Sequence, residues 1–306
     1  MTEFVKKMNY KRKVNIVNES LPDETYIQYK DKIERALEAA LNVFIDFDID
    51  LTVKIYKTDD TLREVVGART TGYARHEKGK FTIGIDQSEI YRIDKDNGLN
   101  LYITVYHEMA HVYDIYHTEH NDFYIINVSR KPYRRMEDFV IYEGFQFWTE
   151  FYAYAYGFRR FKEYSHNITF LNLVNFYDDL LGKHQIIKQM YVDKDPQLNT
   201  ALEDFRDSID SLAYMFAMYI AGEIHGKPYN YKYCKKTRNR VAYKKAAKFY
   251  NGVWNKIFDI YECPYRKGMA RKLYVLGSFI LKQFYLPFGL EPIKNKGKIV
   301  LGFYYE

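Results

Sequence analysis

Cysteine is scarce: the chain has 306 residues and only two, Cys234 and Cys263, in no metal-ligand spacing. That excludes a disulfide framework and a cysteine-based zinc module, and suits a reducing compartment. No apolar h-region follows Met1, so no signal peptide is expected. No uninterrupted apolar run reaches membrane-spanning length either. Cytoplasmic residence is the expectation, with no membrane partner. Internal repeats and low-complexity linkers are missing as well, which argues for one domain. Basic clusters at residues 6–13, 130–135 and 235–245 accompany a formal net charge of +6, but no nucleic-acid-binding motif accompanies them. They read as solvated surface, and no nucleic-acid partner is expected.

Aromatics and a globular balance are what the chain does have. Hydrophobic residues make up 47% and charged residues 28%, which excludes a disordered chain. The 32 Tyr and 21 Phe are spread along the chain at element periodicity, as core-filling residues are. Apolar spacing predicts a helix over 31–45, a strand over 51–57, and a hairpin of strands 70–76 and 81–86 turning at Gly79. His76 falls at the turn edge as a loop residue. A polar stretch offers Asp96 or Asn97 as the N-cap of a helix over 99–116. Beyond residue 122 the pattern is almost wholly helical: 136–158, 170–191, 198–223, 240–261 and 267–285, with a closing strand over 298–305. The fold class is therefore α+β, a single domain with an α/β part to about residue 120 and a helical part over about 121–306.

Chemistry concentrates in the helix over 99–116. His107-Glu108-Met109-Ala110-His111 is an H-E-x-x-H pattern. On a helix, i and i+4 lie about 40° apart, so both imidazoles can reach one ion. Glu108 is the candidate general base, placed to take a proton from an attacking water. A catalytic zinc takes three protein ligands and leaves a fourth position open.

Two residues compete for the third ligand. His117 has the spacing of an extended H-E-x-x-H-x-x-x-x-x-H motif, with Asp114 where a glycine would let the chain turn. If the helix continues, His117 points about 120° away from His111. Glu150 is a carboxylate in a strongly apolar helical run, a costly placement unless it is paired or bound to metal. Glu143, seven residues earlier on the same face, is a further possibility.

His107-Glu-x-x-His111-x-x-Asp114 followed by Glu150-Phe-Tyr-Ala-Tyr-Ala resembles the gluzincin metallopeptidases. It is most similar to catalytic domains of the anthrax lethal-factor type and to zinc peptidases of the ImmA/IrrE type. The resemblance covers roughly residues 70–157. It implies a zincin-like fold, with a small twisted sheet over the H-E-x-x-H helix and an edge strand able to pair with an extended peptide, for which residues 81–85 are the candidate. It also implies Zn²⁺ held by His107, His111 and Glu150, and hydrolysis of peptide bonds in a protein or peptide substrate. Many of its members carry a second acid one turn after the ligand glutamate; here that position is Tyr154, so Asp114 is the candidate for orienting a ligand. The oxyanion donor, a Tyr or His in such enzymes, is sought among Tyr142, His166, His184 and His225. The alternative function is a low-activity zinc-binding regulatory protein whose helical part binds a protein partner.

Overall fold

The protein is described from a computed structural model, which covers residues 10–57, 72–77, 79–121, 133–160, 169–224, 240–262, 264 and 268–303. Two compact units divide the chain, Met1–Tyr116 and His117–Glu306. The architecture is α+β, mostly helical, with a small mixed sheet. Among the described residues, no helix is long and apolar enough to cross a membrane. Both cysteines lie outside the described residues.

The first unit begins with β1 (Arg12–Asn18), α1 (Asp23–Phe44) and β2 (Ile49–Tyr56), followed by the hairpin of β3 (Gly72–Glu77) and β4 (Lys80–Asp86). The sheet order is β1-β2-β4-β3, with β1 and β4 parallel to β2 and β3 antiparallel to β4. Register explains the core. Leu51, Val53 and Ile55 lie directly beside Phe81, Ile83 and Ile85, and all six are buried. Alternation at period two puts these side chains on one face, where burial of apolar area holds the layer together. Ile33, Ala36, Leu37, Ala40, Leu41 and Phe44 form the buried stripe of α1 at helical spacing.

Three expectations change here. Residues 81–85 are not an edge strand, because β4 is paired on both sides and, among the described strands, β3 forms the edge. The burial of β4 from Phe81 through Asp86 suits an interior strand, whereas β3 carries Arg75, His76 and Glu77. His76 is not in a loop: it lies on β3 with its ring stacked 4.4 Å from that of Phe81. β1 was not expected at all, since only its intermittent Val14 and Ile16 alternate within a basic leader.

After the short helices α2 (Gln87–Tyr91) and α3 (Ile93–Asp96) comes α4 (Leu99–Asn121), the H-E-x-x-H helix. Asp96 caps it, accepting from the backbone N–H of Gly98 (2.9 Å) and Asn100 (3.2 Å). Aromatic contacts bind α4 to its unit. Phe44 meets Tyr106 and Tyr113, and Phe47 stacks on Tyr116 at 3.4 Å while touching Phe81.

The second unit is a helical assembly of α5 (Met136–Arg160), α6 (Phe170–Val192), α7 (Leu198–Ile224), α8 (Arg240–Tyr261) and α9 (Met269–Ile280). Beyond α9 come a π-turn (Leu281–Tyr285), a 3-10 turn (Leu286–Phe288) and the hairpin β5 (Leu290–Asn295) and β6 (Lys298–Phe303). Helix α5 is its centre. Trp148, Phe151, Tyr152, Ala153 and Ala155 are at most 2% exposed and spread over about 200° of the helix, a wider buried face than a surface helix carries. Helices α5 and α9 touch backbone to backbone at Gly144 and Gly277. A Cβ on Gly144 would sit 2.1 Å from the Leu273 carbonyl oxygen, and one on Gly277 would sit 1.9 Å from that of Val140. β5 was not expected, since Pro292 within it argues against a paired strand.

Candidate metal centre

Helix α4 runs straight through Asp114 to Asn121, so the sharp turn that would swing His117 toward His111 does not occur. His117 therefore faces about 120° from His111 around the axis. Asp in place of glycine is the physical reason: the helix has no left-handed exit there.

His107 and His111 aim at one point. Their Nε2 atoms are 3.1 Å apart, with the rings nearly perpendicular at 85°. Two nitrogens bound tetrahedrally at about 2.0–2.1 Å stand roughly 3.3 Å apart, so the pair has the spacing of two ligands on one ion. Glu150, on α5, joins them: one ligand atom from each of His107, His111 and Glu150 lies within 4.8 Å of the others. Among the described residues this is the one group of three or more His, Cys, Asp or Glu so placed, and neither His117 nor Glu143 belongs to it. Two imidazoles and a carboxylate can hold a divalent metal ion.

Glu108 is buried at 4% exposure beneath the edge strand. A Cβ built on Gly72 of β3 would lie 2.5 Å from Glu108 Oε1 and 2.9 Å from its Cγ and Cδ. The glycine thus lets the backbone of β3 approach the carboxylate directly. Mid-strand glycines often mark such an approach, and that signal in the sequence could have identified Gly72. Tyr73, the next residue, crosses the other side of the hairpin, where Gly84 leaves room for its ring. Burial holds the Tyr73 hydroxyl above its ordinary range, and Glu108 adds to the effect while Lys54 and Arg75 oppose it.

No family model matches this chain, and no curated protein or solved structure does.

Asp114 has no exposed surface and sits on the histidine face of α4, one turn beyond His111. Of the oxyanion candidates, Tyr142 lies on α5, where burial and then Glu143 raise its pKa to about 12. His184 lies on α6 against Phe205 and Phe288 and is outside the metal-ligand group. His166 and His225 lie outside the described residues. A tyrosine not expected from the sequence, Tyr214 on α7, stands close enough to Glu150 for that carboxylate to oppose its ionisation, after burial itself. Nothing in its local sequence distinguishes it from the other tyrosines.

Proposed function

We propose that the protein is a zinc-dependent peptidase of zincin-like fold, with His107, His111 and Glu150 as ligands and Glu108 as general base. The observation that carries this is the grouping of two imidazole Nε2 atoms 3.1 Å apart, on the helix that also bears Glu108, with the carboxylate of Glu150 from α5. Zinc held there would supply Lewis acidity toward the attacking water and the scissile carbonyl.

The chain's own residues do the rest. Glu108, buried beside Gly72, accepts a proton as water attacks and returns it to the leaving nitrogen. Because β3 is the edge of the sheet among the described strands, an extended peptide can add alongside it and be aligned with that carboxylate. Tyr214, held in its protonated form, supplies an O–H donor to the developing oxyanion. The lethal-factor-type resemblance agrees with this reading.

Metal content per chain tests the ligand set. About one zinc per chain is expected for the native protein and for H117A, and a loss for H107A, H111A and E150A. Glu108→Gln should keep the metal and abolish hydrolysis of a quenched peptide pool. Metal retained by E150A would remove Glu150 from the site. Hydrolysis retained by E108Q would remove the proposed base, and its absence from the native protein would favour the zinc-binding regulatory alternative.

A further inference from the structure

The second unit contains a cavity whose carboxylates the hydrolytic chemistry does not use, although Tyr214, the proposed oxyanion donor, is among its lining residues. Its volume is about 100 Å³, and α5, α7, the end of α9, the π-turn and β6 line it. One water needs about 10–15 Å³ on that measure, so the space takes a compact polar group of several heavy atoms. Tyr285 lines it at 4% exposure and donates from its hydroxyl to Asp210 Oδ1 at 2.8 Å. Tyr214, 37% exposed, lines it as well. Glu143 and Asp210 line it too, with Arg206 as the cation among the described lining residues.

From this lining we infer that the cavity binds an organic cation, a guanidinium or alkylammonium group, between its two carboxylates and its tyrosine rings. Two carboxylates against one guanidinium make the described part of the lining formally negative. The tyrosines report that sign. Beyond burial, the largest cause in each case, Glu143 and Asp210 oppose ionisation of Tyr142 and Tyr285, while Arg206 eases it at Tyr142. Both phenols therefore remain O–H donors that keep the carboxylates as acceptors. A planar cation suits such a site: charge-assisted bonds go to carboxylates and its faces lie against aromatic rings. A bare metal ion suits it less, since the described residues form no second group of three metal-ligating side chains.

Placement suggests where the cation comes from. Glu143 precedes Glu150 by two helical turns on the same face, about 10 Å along α5. Extended chain covers that in about three residues at about 3.3 Å each. A lysine or arginine side chain near the scissile bond of a bound peptide would reach it. This link to substrate rests on the peptidase reading; the affinity for a cation does not.

The experiment separates the two. Zinc-loaded full-length protein carrying E108Q is titrated calorimetrically with N-acetyl-arginine amide, its neutral isostere N-acetyl-citrulline amide, and agmatine. Native protein is assayed on quenched peptides in which arginine or citrulline occupies each position in turn. The arginine probe should bind at least tenfold more tightly than the citrulline probe, and E143Q and D210N should each reduce that discrimination tenfold. An arginine preference confined to one or two peptide positions assigns the cavity to a substrate side chain. Binding of agmatine with no positional preference supports the cavity as a site for free amines. Discriminating binding without hydrolysis of any peptide overturns the peptidase reading and leaves the cation site standing. Equal binding of arginine and citrulline probes overturns the cation site. Should either variant fail to fold, the comparison of the two probes on the unsubstituted cavity still decides.

Discussion

Replacing Gly72 with alanine tests whether Glu108 is the reacting carboxylate. The new Cβ would lie 2.5 Å from Oε1, and ordinary contact begins at 3.4 Å, so the carboxylate must retreat by about 0.9 Å. The obstructing atoms belong to a side chain, which can move without unfolding α4 or separating His107 from His111. A displacement near 1 Å at a reacting group costs about 10²-fold in rate. That corresponds to about 2.7 kcal/mol of barrier at about 1.36 kcal/mol per tenfold. The assay is steady-state hydrolysis of a quenched peptide, with metal content and thermal midpoint measured on the same preparation. We expect kcat to fall about a hundredfold, with KM and zinc content near those of the native protein. Native kcat in G72A would refute the reasoning, because a carboxylate displaced without consequence is not the base. Loss of zinc together with activity would show that Gly72 supports the ligands instead.

Other outcomes follow from the same geometry. Gly277→Ala on α9 drives a Cβ to 1.9 Å from a backbone carbonyl that cannot move aside, and overpacking of this kind should destabilise by about 3 kcal/mol, read as a lower urea midpoint. Gly182→Ala on α6 meets nothing within 4 Å and should stabilise by about 0.5–1 kcal/mol. Tyr214→Phe removes the proposed oxyanion donor and should lower kcat by about 10²-fold with zinc retained; an unchanged kcat sends the search elsewhere. His184 is buried with its Nε2 unpaired among the described residues, and burial followed by Lys188 and Lys245 lowers its pKa. The folded state thus resists protonation, and its contribution to stability is intact above the unfolded value of about 6.5 and declines as pH falls below it. A urea midpoint lower at pH 5.5 than at pH 8, with the difference reduced in H184M, is the expected result.

Local pattern settled much of this protein. Apolar periodicity located α1, β2 and the long helices of the second unit, because each buries one face or stripe against a core and period alone reports that. Gly79, at φ +78°, turns the hairpin, and Asp96 caps α4, since both act within a few residues of chain. The two histidines share a face by helical geometry, and a straight α4 was enough to turn His117 away. What needed the fold is everything that depends on distant backbone. β3, and not β4, became the edge because parallel pairing with β2 occupies the other side of β4. Gly72 acquired its importance from a helix more than thirty residues later, and Tyr214 from a carboxylate more than sixty residues earlier. Glu150 looked costly in sequence because a carboxylate amid aromatics needs a partner; only the folded chain brings its oxygen to the two imidazoles.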